Sequence, residues 1–179
     1  MEKENNITTD LVHNARKGNT QAFAQLYHQY SKAMYNICIR MAGNITDAED
    51  LLQESFITAF NNIHQLKEDN FFGGWLKTIV VNNCIKHCKK IFYWDNWSEE
   101  KTEHLTDDET EWWVNIEMNH INNAIKQLPD GCREIFTLYA VENYSHKEVA
   151  NNLGISESTS KSQYHRAKKL LKEKLINQL

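Results

Sequence analysis

Residues 144–161 of this 179-residue chain form two short helical patterns separated by a single glycine, and no other segment limits the possible folds as much. Ser145 can cap the first helix, and Glu148, three residues later, can return a hydrogen bond to Ser145, which makes a capping box. Gly154 stands where the chain needs a left-handed turn that glycine adopts without steric cost. The spacing predicts a helix-turn-helix. Its first helix has an apolar stripe formed by Val149, Ala150 and Leu153.

The second helix of this motif restarts at Ser156 and is rich in basic and polar residues. Such a helix suits the major groove of DNA, whereas a helical hairpin that only packs is the simpler interpretation. Ser160 occupies a position where helix-turn-helix motifs usually bury a branched apolar residue, and its hydroxyl can bond back to its own helix. The basic and polar residues are Lys161, Ser162, Gln163, His165, Arg166, Lys168 and Lys169.

The composition favours helices along the whole chain, since it contains one proline and 6 glycines and is rich in good helix formers. The polar start of the chain does not resemble a signal peptide, and no run approaches the about 18 apolar residues of a membrane span. We therefore expect an all-α, cytoplasmic protein without membrane insertion. Four cysteines in a chain of this size do not make a disulfide scaffold.

The charge is distributed unevenly. The formal net charge is −4, acidic residues are concentrated between Asp95 and Glu111, and the segment after Lys161 is basic. Because attraction to phosphates supplies much of the non-specific affinity for DNA, an acidic protein with a small basic face should bind DNA poorly by itself. The charge pattern therefore indicates that a larger partner brings the chain to DNA.

Helical periodicity and capping residues predict the first two helices of an N-terminal body. The first runs from a cap at Thr8 or Thr9 to Gly18. Thr20 is expected to cap the second, which continues to Gly43.

Two further helices are predicted in this body. Thr46 and Glu49 form a second capping box, which starts the third helix. A loop over residues 65–74 leads to a fourth helix from near Trp75 to about Lys90.

The helical pattern is lost from about Phe92 to Asp108, where acidic residues, Ser, Thr and Asn predict a flexible linker. A C-terminal body follows, with one helix from near Glu111, a break at Pro129, and a second helix over residues 133–141 before the helix-turn-helix. We expect two small helical domains, 1–92 and 111–179, joined by an acidic linker over 93–110.

Three segments resemble the extracytoplasmic-function sigma factors, which are bacterial transcription initiation factors. The segment DAEDLLQESF over residues 47–56 is similar to the stretch by which the family's first domain (region 2) binds RNA polymerase. The segment GWLKTIVVN over residues 74–82 is like its promoter-melting helix, and Leu128 and Pro129 open the second domain (region 4) that the helix-turn-helix completes. The resemblance covers nearly the whole chain, and it implies a non-enzyme whose partners are core RNA polymerase and promoter DNA.

The resemblance implies that the acidic helix start docks on a coiled coil of the largest polymerase subunit. A solvated helix face is the simpler interpretation of such residues, and their charges would mainly set the association rate and register. The predicted polymerase-binding residues are Asp47, Glu49, Asp50, Leu51, Gln53 and Glu54.

Opening of DNA requires apolar walls, amide groups that read base edges, and cations for the backbone, and residues 65–90 supply all three. Asn82 matches the asparagine that the family uses at the upstream edge of the melted minus-ten element. Trp75, Leu76 and Ile79 are expected in the core, and the sequence leaves open whether Phe71 and Phe72 line a base pocket or anchor the loop. The predicted contacts to the minus-ten element, including the melted non-template strand, are Lys67, Lys77, Asn82, Asn83 and Lys86.

The resemblance also implies that the second helix of the helix-turn-helix contacts the double-stranded minus-thirty-five element. Arg166 is the best candidate for base reading, because an arginine bidentate to guanine is the commonest specific contact. Ser160 and His165 depart from the family's usual pattern, so the recognised base sequence does not carry over. The predicted contact residues are Thr159, Lys161, Ser162, His165, Arg166 and Lys169.

The resemblance further implies that the acidic linker threads the positively charged polymerase cleft and that an anti-sigma factor holds the protein inactive.

No nucleotide-binding loop or nucleophile elbow is present, and no cofactor or metal is predicted. Two alternatives remain from the residues themselves. One is an autonomous helix-turn-helix repressor or activator, and the other is a helical metalloprotein that uses Cys84, His87 and Cys88.

Overall fold

The computed structural model describes residues 2–92 and 118–176, and the regular structure of those residues is entirely helical, which confirms the all-α class. The predicted linker over 93–110 and the first part of the following helix, with Trp113 and Ile116, lie outside the described residues. The described α-helices are α1 (Glu2–Arg16), α2 (Thr20–Ala42), α3 (Ile45–Asn61), α4 (Phe72–Phe92), α5 (Met118–Lys126), α6 (Asp130–Phe136), α7 (His146–Leu153) and α8 (Glu157–Ile176).

Contacts among the described residues define two compact units. The first contains residues 2–39 and 45–84, and the second contains residues 40–44, 85–92 and 118–176. In the first unit, apolar stripes at three-and-four spacing bury Leu26, Phe72 and Leu76 completely. Tyr27 and Phe56 lie with ring centroids 4.7 Å apart, which joins α2 to α3.

Two predicted helix starts in the first unit are wrong because tertiary contacts and a neighbouring cap take precedence over local capping. The helix α1 begins well before Thr8, and Thr8 is a buried internal residue whose Oγ1 accepts a hydrogen bond from Gln29 Nε2 at 3.1 Å. Asn19 caps α2 in place of Thr20, since its Oδ1 accepts from the backbone N–H groups of Gln21 (2.9 Å) and Ala22 (3.1 Å).

The start of α3 also differs from the prediction, by two residues. Gly43 has a φ of +78° and ends α2 as predicted, and only Asn44 follows it before α3 begins at Ile45. Thr46 therefore lies inside the first turn and does not occupy the cap position of the predicted capping box.

The loop before α4 lies three residues earlier in the chain than the sequence predicts, and it is more ordered. Two 3-10 turns, Ile63–Gln65 and Asp69–Phe71, occupy most of it, and α4 begins at Phe72, before Trp75. Arg16 on α1 braces this loop, because its guanidinium donates to the carbonyl of Leu66 and pairs with the carboxylate of Asp69 at 2.7 Å.

The second unit packs α8 against α5 and α6. The helix α6 begins at Asp130, three residues before the predicted start, and the Asp130 carboxylate pairs with the Arg133 guanidinium at 2.6 Å. After Phe136 the chain continues as a wider helical turn over Thr137–Val141, so the predicted helix over 133–141 is two elements. The core of the unit contains Ala124, Ile125, Leu128, Cys132, Phe136, Ala167, Leu171 and Leu175.

The helix-turn-helix has the predicted geometry. Ser145 caps α7, since its Oγ accepts from the backbone N–H of Glu148 at 3.3 Å, while its own N–H donates to Glu148 Oε2 at 2.8 Å. Gly154 ends the helix with a φ of +73°, in the left-handed region. Ser156 then starts α8 by accepting from the backbone N–H of Thr159 at 3.0 Å.

Candidate nucleic-acid and protein interfaces

The outer face of α8 presents the cations predicted to contact the minus-thirty-five element. Arg166 and Lys169 are exposed and His165 is half-buried. Lys161 is 55% exposed and pairs with Glu157, one turn earlier, at 2.8 Å. This hydrogen bond, together with the charge of Lys161, lowers the pKa of Glu157. The carboxylate holds the ammonium against the helix, where a DNA phosphate can replace it as the partner.

Two of the predicted contact residues already use their hydroxyl groups inside the helix. Thr159 Oγ1 lies 2.7 Å from Ser156 Oγ, within the cap of α8, and Ser162 Oγ donates to the carbonyl of Thr159 at 3.0 Å. Both residues are half-buried. The outward charge of this face therefore comes from its lysine and arginine side chains.

The inner face of α8 carries a polar contact that sequence reasoning missed. Ser160 is fully buried, and its Oγ lies 2.9 Å from Nδ1 of His146 on α7. The predicted bond back to its own helix is therefore replaced by a bond between the two helices of the motif. Burial, reinforced by the charge of Lys161, lowers the pKa of His146, so the ring favours its neutral form.

Aromatic rings surround this histidine. The His146 ring stacks on Tyr139, with centroids 4.0 Å apart and planes 12° apart. Tyr164, on α8, lies edge-on to His146 at 5.6 Å and tilted against Tyr139 at 4.6 Å. The sequence signal for this cluster was the spacing of Ser160 and Tyr164, four residues apart on one helix face.

The predicted minus-ten residues divide between surface and core. Lys67, Asn82 and Lys86 are exposed and Lys77 is half-buried. Asn83 is only 7% exposed, and its Nδ2 donates to Ser55 Oγ at 3.1 Å. The prediction that Asn83 reads base edges is therefore wrong, because its side chain joins α4 to α3 inside the core.

The two phenylalanines that the sequence left open lie in different environments. Phe72 is fully buried and packs edge-on against Tyr30, with centroids 5.3 Å apart. Phe71 is 60% exposed at the end of the 3-10 turn before α4. Of the three residues expected in the core, Leu76 is fully buried and Trp75 and Ile79 are half-buried.

The start of α3 presents most of the predicted acidic face. Glu49, Asp50, Gln53 and Glu54 are exposed and Asp47 is half-buried. Leu51 is 4% exposed, so its prediction as a surface contact is wrong, because its position in the helical repeat points it into the core.

Sequence reasoning missed one exposed apolar residue on α3. Ile57 is 60% exposed and follows Gln53 and Glu54 by one helical turn. Its seven-residue distance from Asp50 was the available signal, since that spacing returns to the same helix face.

Comparison with known proteins agrees with this arrangement. The model of sigma-70 region 2 matches residues 26–91, and that of sigma-70 region 4 matches residues 119–171. The ECF RNA polymerase sigma factor SigW of Bacillus subtilis (strain 168) is 31% identical, over 92% of this chain and 94% of SigW. The chain belongs to the extracytoplasmic-function (ECF) sigma factor family. SigM of the same organism is 28% identical, over 83% of this chain and 91% of SigM.

A solved structure of CnrH in complex with the cytosolic domain of CnrY has the same fold. It aligns with a TM-score of 0.51 at 22% sequence identity and covers 96% of this chain and 98% of CnrH.

As an ECF sigma factor, the chain is a transcription initiation factor that acts with core RNA polymerase at promoters. Sigma factors are not an enzyme family. The helix-turn-helix lies within the region 4 match, and the acidic helix start and α4 lie almost entirely within the region 2 match.

The cysteines of the chain are buried and form no disulfide; they are Cys38, Cys84, Cys88 and Cys132. In the part of the chain that the structure describes, no group of three or more His, Cys, Asp or Glu side chains is arranged to hold a metal ion. None of the described helices is long and apolar enough to cross a membrane.

Proposed function

We propose that α8 reads the minus-thirty-five element of the promoters that this sigma factor selects. The observation that supports this most strongly is the exposed cationic face of the second helix of a correctly capped helix-turn-helix. Lys161, Arg166 and Lys169 point outward, and the opposite side of the same helix is fixed by Ser160 and Tyr164. Arg166 reads a guanine, and the lysines contact phosphates. Thr159, Ser162 and His165 complete the contact face.

We propose that the loop and α4 contact the minus-ten element. Asn82 is exposed and reads a base edge. Lys86 lies one helical turn further along α4, and its ammonium contacts the phosphate backbone of the DNA. Lys67 and Lys77 supply additional cations. Phe71 is exposed at the end of the 3-10 turn before α4 and offers an aromatic surface for an unstacked base.

We propose that the acidic start of α3 docks on core RNA polymerase. Asp47, Glu49, Asp50, Gln53 and Glu54 pair with basic residues of the polymerase, and their charges set the association rate and register. Ile57 adds an apolar anchor at the far end of the same helix face, since an exposed isoleucine next to charged residues is typical of a contact surface.

We also propose the cellular setting. The protein is cytoplasmic and catalyses no reaction, residues 1–92 and 111–179 act as separate domains, and the acidic linker follows the polymerase cleft. An anti-sigma factor binds the protein and holds it inactive. The structurally similar CnrH is also found in a complex, with the cytosolic domain of CnrY. The net charge of −4 supports dependence on polymerase over autonomous repression, because unaided DNA binding relies on positive charge.

The dependence on polymerase is testable by footprinting on promoter DNA. We expect the purified chain alone to leave the DNA unprotected at moderate salt, whereas the chain with core polymerase protects both promoter elements. Protection by core polymerase alone would contradict the proposal, as would equal protection by the chain alone.

A further inference from the structure

We propose that His146 and Ser160 act together as positioning residues that set the angle at which α8 enters the major groove. The inference rests on the proposed function, in which the outer face of α8 reads the minus-thirty-five element. Neither residue contacts DNA in this account. Their role is to fix α8 against α7, so that its outward side chains reach the base edges in one register.

The hydrogen bond between His146 and Ser160 can set the angle of α8 because it is buried and polar. Ser160 is fully buried, and its Oγ meets Nδ1 of His146 at 2.9 Å. An apolar contact tolerates small sliding movements, whereas a hydrogen bond weakens steeply with distance and angle. A buried hydroxyl without a partner also costs free energy, so α8 is held where this bond forms.

The surrounding rings restrict the histidine as well. Tyr139 stacks on one face of the ring at 4.0 Å, and Tyr164 meets it from α8 at 5.6 Å. The side chain of His146 is thereby held between the wide turn over Thr137–Val141 and α8. The two rings therefore limit the positions that Nδ1 can take, in addition to its bond with Ser160.

The predicted DNA contacts lie close to Ser160 in the sequence, on the opposite, outer side of the same helix. Lys161 is the next residue, and His165 and Arg166 come one and a half turns later. A small rotation of α8 about its contact with α7 therefore moves all three residues together. For this reason the pair determines which bases are read, and the effect is separate from overall stability.

The pair also predicts a pH dependence. Burial and the charge of Lys161 lower the pKa of His146 below its ordinary value of 6.5, with a smaller contribution from His165 and an opposing one from Glu157. The unfolded chain therefore binds the proton more readily than the folded chain. Stability from the neutral ring is complete above about pH 6.5 and is lost as the pH falls below it.

The test measures base discrimination by the full chain in complex with core polymerase. Double-stranded templates with a randomised minus-thirty-five segment are selected with the wild type, His146→Phe, Ser160→Ala and the double variant. Phenylalanine keeps the ring but removes Nδ1, and alanine removes only the hydroxyl. We expect each single variant to lose about fivefold or more in discrimination, and the double variant to lose no more than the worse single variant.

Val149→Ala is the matched control. Val149 is fully buried on α7, so alanine lowers stability without touching the pair. We expect it to keep the wild-type base preference. All variants should transcribe equally from a pre-melted template that lacks the upstream duplex. His146→Phe should remove the part of the pH dependence of discrimination that comes from His146, whereas any part that comes from His165 remains in both proteins.

Each outcome of this selection either supports or contradicts the positioning role of His146 and Ser160. If the wild type prefers particular upstream bases and the single variants keep that preference, the pair has no positioning role although the proposed function stands. If Val149→Ala shifts the preference as much as the pair variants do, the effect is general destabilisation. Multiplied losses in the double variant would show that the two residues act independently. If the wild type itself shows no upstream preference, the proposed function and the inference both fail.

Discussion

Side chains along α8 divide between anchoring the helix and facing outward. Ser160 and Ala167 are fully buried, while Lys161 and Arg166, their sequence neighbours, are exposed. This follows from a repeat of 3.6 residues per turn, which points adjacent side chains about 100° apart. The chemistry of a single residue on this helix therefore depends on its place in the turn as much as on its type.

Arg166→Ala should cost about 1–3 kcal/mol in promoter binding and loosen the preference at one base, because a bidentate arginine reads one guanine. The measurement is competition between promoter variants for the polymerase complex. Lys172→Ala is the matched control, since Lys172 is exposed further along the same helix. Lys172→Ala should weaken binding to all promoter variants equally. An unchanged base preference in Arg166→Ala would count against the assignment of Arg166 to base reading.

Two glycines should respond to alanine in opposite directions. Gly154 has a φ of +73°, where a β-carbon costs about 1–2 kcal/mol, so Gly154→Ala should destabilise the second unit. Gly74 lies in α4 with no atom within 4 Å of a new β-carbon, so Gly74→Ala should stabilise the first unit by about 0.5–1 kcal/mol. Denaturant unfolding of the full chain carrying each substitution measures both effects, and changes of the same sign would refute this prediction.

At the scale of elements, hydrophobic periodicity predicted the helices, but their ends depended on distant contacts. The start of α1 and the loop before α4 were misjudged because Thr8 bonds to Gln29 and Arg16 to Asp69, which lie 21 and 53 residues away in sequence. The capping box at Ser145 was predictable, since its partners are local.

The candidate surfaces show the same limit. Exposure of Asp50 and Arg166 followed from the pattern, whereas the burial of Asn83 did not, because its partner Ser55 comes from another helix. The partnership of His146 with Ser160 was equally hidden. A small polar residue is predicted to be exposed unless the sequence indicates which group will form its hydrogen bond in the folded protein.

Asn82→Ala should impair strand opening more than formation of the closed complex, because the exposed amide acts on melted bases. Transcription from duplex and pre-melted templates separates the two steps, and the pre-melted template should restore activity. Asn83→Ala is a neighbouring control that should lower stability by about 1–3 kcal/mol through the lost buried bond, without a specific opening defect. A defect in Asn82→Ala that persists on the pre-melted template would argue against the role.

At the scale of the whole molecule, function depends on charges that are separated along the chain. In the proposed function, the acidic helix start faces a protein and the basic face of α8 faces DNA, while the formal net charge of the chain is −4. In this proposal, binding to polymerase raises the effective concentration of the promoter near α8. The chain gains its affinity for DNA in this way.

Asp50→Arg should weaken association with core polymerase and leave the fold intact, because it places a cation where the proposed partner surface is basic. Asp10→Arg makes the same charge change at an exposed position on α1 and serves as control. Binding to core polymerase at several salt concentrations measures both variants. Normal complex formation by Asp50→Arg, or an equal loss in Asp10→Arg, would contradict the docking role of α3.

The central claim is that this chain gives core RNA polymerase its choice of start site. Transcription by core polymerase on genomic DNA fragments, with and without the purified chain, followed by mapping of RNA 5′ ends, tests it directly. The account predicts discrete start sites that appear only when the chain is present and share upstream sequence elements. Unchanged 5′ ends, together with tight binding of duplex DNA by the chain alone, would contradict it.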